Sequence, residues 1–334
     1  MSVPIPSGPA GGARPIRSAF IVGAPRCGTT FLAKLLARHP NVCFSKPKES
    51  HFFVRDWKKV DPELWHDEVL RRYFGQLAPE HDLMIEGSPL QLRDPEAVQR
   101  LLRFDPETRF IVALRSPIDM IHSFHARLVY LLDEDERDFE RAWARQAERA
   151  RGKRIPRRCR DAASLQYRAM ASLGTQLSRL YEQVDRDQVH VVLFDDVLAD
   201  SARVYLELLE FLHLPDDGRR RFARRNENRE FRHALLQTWL MNPPRWVIAW
   251  LEARQRKGKP RPLWVRELRR RIKRWNTVGE TRTPLRPDLS TLLAGELAGE
   301  VALLERLLGR DLRHWLADDA RTRSGRSPLP LSSG

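Results

Sequence analysis

Cysteine is scarce in this chain: Cys27, Cys43 and Cys159 are the three among 334 residues. An odd count without metal-ligand spacing argues against a disulfide framework, and a reducing, cytoplasmic setting is expected. Long apolar runs are also lacking. No stretch of 18 apolar residues occurs, so no membrane-spanning helix is expected. Residues 1–17 are rich in Pro, Gly and Ser but lack the apolar core of a secretory signal. They are expected to form a disordered leader, and 321–334 a disordered tail. Lysine is rare, with roughly five arginines for each one. No internal repeat is visible.

One missing lysine matters more than the rest. Phe20-Ile21-Val22-Gly23-Ala24-Pro25-Arg26-Cys27-Gly28-Thr29-Thr30-Phe31-Leu32 reads as a strand, a Gly-bounded loop and a helix. That is the arrangement that cradles phosphates with backbone N–H groups and a helix N-terminus. The nucleoside-triphosphatase pattern Gly-x-x-x-x-Gly-Lys-[Ser/Thr] puts a lysine where this chain has Thr29. A cation stands inside the loop instead, at Arg26. The loop is therefore suited to a phosphate-bearing donor other than ATP.

A second segment supports this. Arg109 to Leu114 has the apolar content of a buried strand, and Arg115-Ser116-Pro117 follows. Pro117 suits the first turn of a helix, where its missing N–H costs nothing. Arg115 at the strand end and Ser123 two turns into that helix can offer a guanidinium fork and a hydroxyl to one phosphate.

The whole chain reads as repeated strand and helix. Strands are expected at 19–22, 42–44, 83–86, 110–114 and 189–194. Helices are expected at 29–38, 95–103, 117–132, 139–149, 162–184, 203–212 and 289–308. This alternation predicts an α/β fold of three layers, a parallel sheet with helices on both faces. Ligands of such sheets sit at the carboxyl ends of the strands. Arg26, Glu49, Ser88 and Arg115 all follow strand-like runs.

At these residues the chain resembles the PAPS-dependent sulfotransferases (PAPS is 3′-phosphoadenosine 5′-phosphosulfate). Gly-Ala-Pro-Arg-Cys-Gly-Thr-Thr is similar to their 5′-phosphosulfate loop. Arg115-Ser116-Pro117 with Ser123 resembles their 3′-phosphate motif. Pro47-Lys48-Glu49-Ser50-His51-Phe52-Phe53 resembles the Lys-Glu-x-His-Phe-Phe segment of the carbohydrate, heparan-type branch. The resemblance covers roughly residues 18–316. It implies a P-loop nucleotide-kinase-like sulfotransferase fold in one domain, 18–320. It also implies transfer of a sulfuryl group from PAPS, without a metal, to a hydroxyl or amine of a sugar or glycolipid. Arg26, Cys27, Gly28, Thr29, Thr30, Arg115 and Ser123 would hold PAPS or its product 3′-phosphoadenosine 5′-phosphate (PAP). Arg282, in a covering loop over 276–286, would join them.

Arg26 sits where charge builds on the departing oxygen, the kind of fixed electrostatic stabilisation worth several kcal/mol. The family carries lysine at or near this position. Arginine keeps its proton, so stabilisation rather than acid catalysis is expected of it. Glu49 resembles the family's general base, with His51 as the rival; a structural ion pair of Glu49 with Lys48 is the plain alternative. Cys27 is read as a small side chain tolerated in the loop, since no base is paired with it.

Two signals point elsewhere. His122-x-x-His125 has one-face helical spacing but no evident third ligand for zinc. Asp195-Asp196 after an apolar run is similar to a Walker B strand end, which would suit a kinase or NTPase; the absent loop lysine opposes it. A degenerate, non-catalytic anion-binding domain is the third reading.

Charge is uneven. The chain carries +15, and residues 251–275 alone hold eleven Lys/Arg against two Glu. Five of nine tryptophans fall in 231–275. This segment is read either as a lid over the acceptor or as a peripheral contact with an anionic membrane. Without a nucleic-acid motif beside it, nucleic acid is not expected as a partner.

Overall fold

Four consecutive apolar residues, Phe20 to Val22 with Ala19, can all be buried only if both faces of their strand are covered, because alternate side chains point to opposite faces. That is how β1 (Arg17–Gly23) sits, buried from its second residue to its last. The computed structural model describes residues 16–222, 263–279 and 284–317, with scattered positions from 229 to 254. β2 (Val42–Phe44), β3 (Leu83–Glu86), β4 (Arg109–Leu114) and β5 (Val189–Leu193) join β1 in a five-stranded sheet of order β2-β3-β1-β4-β5. Every pair in it is parallel. β3 and β4 are buried almost throughout, like β1.

The chain fills one side of β1 with β2 and β3 and then crosses to β4 and β5. The reversal of direction lies beside β1, and in open sheets of this kind ligands bind outside the carboxyl ends of the strands at such a point. The register between them slips at that end, from Ile21 opposite Ile111 to Gly23 opposite Val112. Such irregularities bend a strand where a loop must be re-aimed. Gly23 also has no room for a side chain: a Cβ there would lie 2.5 Å from Leu92 Cβ.

The helices are α1 (Thr29–Leu36), α2 (Trp65–Tyr73), α3 (Pro95–Phe104), α4 (Pro117–Leu131), α5 (Phe139–Ala144), α6 (Gln146–Ala150), α7 (Tyr167–Ala171), α8 (Leu173–Tyr181), α9 (Phe194–Ala199), α10 (Ser201–Phe211), α11 (Leu263–Asn276) and α12 (Pro287–Leu308). A short antiparallel pair, β6 (Arg229–Phe231) and β7 (Thr277–Gly279), completes the described elements. Local capping explains several helix starts. Asp94 caps α3 by accepting the Glu96 N–H at 3.1 Å, with Pro95 next. Ser116 does the same for α4 ahead of Pro117.

Several expectations differ from the outcome, and the helix expected over 139–149 is two, α5 and α6. The helix expected over 162–184 is broken into a 3₁₀ turn, α7 and α8. Gly174 approaches Glu300 on α12 so closely that a Cβ would meet the Glu300 carbonyl at 2.6 Å. The Glu300 carboxylate then accepts the Thr175 N–H at 2.8 Å and the Thr175 hydroxyl at 2.7 Å, capping a fresh helix start. Likewise, Asp195 and Asp196 lie in the first turn of α9 rather than at a strand end.

The chain divides into two compact units. One comprises residues up to Arg115 with Gln176–Ala223, and contains the parallel sheet. The other comprises Ser116–Thr175 and the residues from Arg224 onward. Within the second unit, α12 packs on α4 and on the 3₁₀ turn Arg313–Leu316.

Candidate active site

The loop after β1 is built for an anion. Arg26 and Gly28 both adopt left-handed backbone, with φ of 65° and 93°. Alternation of left-handed with ordinary residues turns successive N–H groups toward one point, the geometry of an anion nest. Gly28 then leads into α1, whose first turn offers N–H groups without intrahelical partners and the positive end of a helix dipole. A Cβ on Gly28 would meet the Phe194 ring at 3.0 Å, so both backbone and space require glycine there. Thr29 is buried and Thr30 exposed. Ala24 N–H donates to the Ala113 carbonyl at 2.7 Å, which pins the loop to β4. Cys27 is buried with its Sγ 3.6 Å from the Pro25 carbonyl, as suits a small packed side chain.

Arg115 follows β4 directly, and its guanidinium lies 5.0 Å from the Phe194 ring centroid. Phe194 thus touches both the glycine of the loop and the arginine beyond β4 within the first unit.

The loops after β2 and β3 form the second half of the site. Lys48 Nζ donates to Glu49 Oε1 at 3.0 Å, and His51 Nε2 stands 3.6 Å from Glu49 Oε2. Burial alone would raise the Glu49 carboxyl; the His51 and Lys48 contacts outweigh it and hold it down to about 2. Glu49 is therefore a carboxylate at neutral pH. His51 takes left-handed backbone, φ 53°, uncommon for a residue with a side chain. Its buried Nδ1 has no hydrogen-bond partner among the described residues.

Glu86, at the end of β3, was not singled out by its sequence. It is buried and accepts the Ser50 N–H at 2.8 Å, the Ser88 hydroxyl at 2.5 Å, the Ser88 N–H at 3.2 Å and the Gln91 side-chain amide at 3.2 Å. Ser88 Oγ in turn accepts the His51 N–H at 2.9 Å. Gly87 N–H donates to the Lys48 carbonyl at 3.1 Å, closing the two loops together. Burial pushes the Glu86 carboxyl up, against the donors from Ser88 and Ser50. The one signal available in the sequence was an acidic residue closing the apolar run Leu83–Ile85 ahead of Gly87-Ser88.

The first unit thus brings Arg26, Cys27, Gly28, Thr29, Thr30, Glu49, His51 and Arg115 to one carboxyl edge of its sheet. Ser123 belongs to the second unit, where it is buried on α4. Arg282 lies outside the described residues. The Walker-like reading of Asp195-Asp196 finds no support in position, and Asp196 stands 3.8 Å from the Arg203 guanidinium. His125 Nε2 is engaged by the Glu136 carbonyl at 2.8 Å, and the His122 and His125 rings pack on Phe139.

A parallel sheet of order 2-3-1-4-5 with an anion nest after its central strand defines a P-loop-like α/β protein. Residues 18–218, well over half of the chain, match the model of the sulfotransferase family, and the chain belongs to that family. A crystal structure of a sulfotransferase from Alicyclobacillus acidocaldarius superposes with a TM-score of 0.60 at 25% identity, covering 92% of this chain and 100% of that one. Heparan sulfate glucosamine 3-O-sulfotransferase 6 of Homo sapiens is 31% identical over 126 residues, 37% of this chain and 34% of the human protein. The Mus musculus protein of the same name is 32% identical over 126 residues, with the same coverage of 37% and 34%. The match thus spans about a third of the length of these curated relatives.

Proposed function

We propose that this protein is a PAPS-dependent sulfotransferase, residues 18–320 acting as one domain, and that its acceptor is a hydroxyl or amine of a carbohydrate or glycolipid. The observation that carries the reading is the pairing of a left-handed anion nest at Arg26–Gly28 with the Lys48–Glu49–His51 cluster at one carboxyl edge. The nest fits the donor's 5′ group: its backbone turns N–H groups inward, and Gly28 leaves the approach clear of a Cβ. The bound donor would supply the sulfuryl group to be transferred.

The chain's own residues bind, orient and move a proton. The amides of Gly28, Thr29 and Thr30 and the threonine hydroxyls hold the 5′-phosphate. Arg26 remains charged and stabilises the negative charge that develops on the leaving side. Arg115 and Ser123 read the 3′-phosphate, and Arg282 adds a further cation. Glu49 accepts the acceptor's proton. Its low affinity for protons in the free protein comes from His51 and Lys48, so an acceptor group that displaces either contact raises its basicity where it is needed. The heparan-type names of the partial relatives support a sugar acceptor, as does the Lys-Glu-x-His-Phe-Phe segment.

The deciding experiment is calorimetry with EDTA present. PAP is expected to bind tightly and ATP far more weakly, followed by turnover of labelled PAPS on a panel of sugars, amino sugars and glycolipids. Magnesium-dependent ATP binding stronger than that of PAP would overturn the reading in favour of a kinase or NTPase. Donor binding with no turnover on any acceptor would favour the non-catalytic domain.

A peripheral contact with anionic membrane is proposed for 231–275. Exposed Arg269, Arg270, Arg271 and Arg274 share α11 with exposed Leu268 and Trp275, and Trp239 and Trp250 are exposed too. Cations worth on the order of 1 kcal/mol each near an anionic bilayer, beside apolar side chains, suit such an interface. Sedimentation with phosphatidylglycerol vesicles should fade as salt rises. No sedimentation at low salt would leave the lid reading. Among the described residues, no helix is long and apolar enough to cross a membrane.

A further inference from the structure

We propose that Glu86 is a positioning residue for Glu49: its buried carboxylate, directly and through Ser88, holds the backbone of Ser50 and His51, the two residues that follow Glu49. The inference rests on the reading of Glu49 as the base. Ser50 N–H, the amide next after Glu49, points at Glu86 Oε1 from 2.8 Å. The next amide, His51 N–H, points at Ser88 Oγ from 2.9 Å, and that hydroxyl donates to the same Oε1. Two successive N–H groups are thus gathered toward one carboxylate oxygen, and His51 is left in its left-handed conformation, φ 53°. A left-handed residue with a side chain persists where its surroundings over-determine it. Locally the Phe52 N–H donates to Ser50 Oγ at 3.1 Å across His51, and Glu86 with Ser88 adds the anchor from another loop. The turn sets where the His51 ring lies, and the ring and Lys48 set the orientation of the Glu49 carboxylate.

The remaining contacts show that Glu86 is aimed at this segment rather than at the sheet. Its second oxygen, Oε2, takes Ser88 N–H and the Gln91 amide, which fix the loop that supplies the Ser88 hydroxyl. Lys48 is held from the same loop. Its carbonyl accepts from Gly87 N–H, and its side-chain stem lies where a Cβ at residue 87 would be only 3.3 Å from Lys48 Cε. The loop that opens with Glu86 therefore meets the Glu49 segment at Lys48 through Gly87, and at Ser50 and His51 through the Glu86 carboxylate and Ser88.

The test is a double-mutant cycle on kcat. Glu86→Gln keeps the shape, and its new N–H₂ can be met by Gln91, whose Oε1 is buried with no partner among the described residues. Ser88→Ala removes only the hydroxyl bridge to His51 and is the milder variant. Each is expected to lower kcat about tenfold while leaving PAP binding and the thermal midpoint close to wild type, since small misplacements of a reacting group cost one to two orders of magnitude. In a Glu49→Gln background neither should lower kcat further, because a residue that acts through Glu49 has nothing left to position. Equal loss in both backgrounds would overturn the proposal, as would unchanged kcat in the wild-type background. Should Glu86→Gln fail to fold, Ser88→Ala decides alone. If Glu49→Gln by itself leaves turnover intact, the base assignment fails first, and that single variant shows it.

Discussion

The Arg115 guanidinium lies over the Phe194 ring, 5.0 Å from its centroid, and the same ring closes against the Cα of Gly28. One half-buried aromatic at the start of α9 therefore stands beside both groups read as 3′ and 5′ phosphate ligands. Arg115→Ala is expected to weaken PAP binding by about 2–3 kcal/mol, roughly a hundredfold in Kd, through loss of charge-assisted hydrogen bonds. Adenosine 5′-phosphosulfate, which lacks the 3′ group, should lose little. Calorimetry with both ligands checks this, and equal losses would show that Arg115 reads something else. Phe194→Leu should weaken PAP by only severalfold, since a cation–π contact is worth about 0.5–1 kcal/mol at an exposed site.

Gly28→Ala should damage the loop itself. Its φ of 93° disfavours a Cβ by about 1–2 kcal/mol, and the new methyl would press on the Phe194 ring. We expect a lower thermal midpoint together with loss of PAP binding. A variant that binds PAP as wild type does would show that the loop tolerates another conformation and that the nest is not needed.

Glu49→Gln is expected to lower kcat by roughly a hundredfold or more with donor affinity unchanged. The pH profile discriminates further. With its carboxyl held down to about 2, Glu49 is ionised across the working range and contributes no acid limb to kcat/KM above about pH 4. A histidine base would instead give an acid limb inside that range. A limb there that vanishes in His51→Ala, with Glu49→Gln still active, would move the base to His51.

Stability in the second unit should depend on a buried trio. Arg149 grips Glu134 with two hydrogen bonds of 2.7 and 2.6 Å, both side chains are fully buried, and the Tyr167 hydroxyl donates to Glu134 at 2.5 Å. Burial raises the Glu134 carboxyl, but Arg149 and Tyr167 more than offset this and leave it below its ordinary value. The depressed carboxyl contributes stability that is present above the unfolded-state value of about 4.3 and is lost as pH falls toward the folded-state value. Arg149→Met should cost about 3–5 kcal/mol, since it strands a buried charge. It should also weaken the acid dependence, because Arg149 no longer offsets burial and only Tyr167 and the backbone donors remain to lower the carboxyl. Urea midpoints between pH 3 and 7 measure both effects; a parallel pH dependence in the two proteins would refute the assignment.

What the sequence determined on its own is whatever depends on local pattern. Consecutive apolar residues in 19–22 and 110–114 specify strands covered on both faces, and Gly23 and Gly28 bracket the loop read as phosphate-binding. Asp94-Pro95 and Ser116-Pro117 mark helix starts, and Thr29 removes the lysine that ATP would need. Each is a matter of backbone preference or solvent exclusion within a dozen residues. Tertiary structure alone decided the break at Ser172, because the carboxylate that caps α8 comes from Glu300, 125 positions from Thr175. It also decided that Glu49 is held low rather than lifted, since burial competes there with the His51 and Lys48 contacts and only their positions settle the balance. The clearest case is Glu86. In the sequence it is one acid at the end of an apolar run. In the fold it is a buried carboxylate that gathers two amides of another loop, because parallel strands bring the ends of β2 and β3 side by side and a buried charge must find donors wherever they converge.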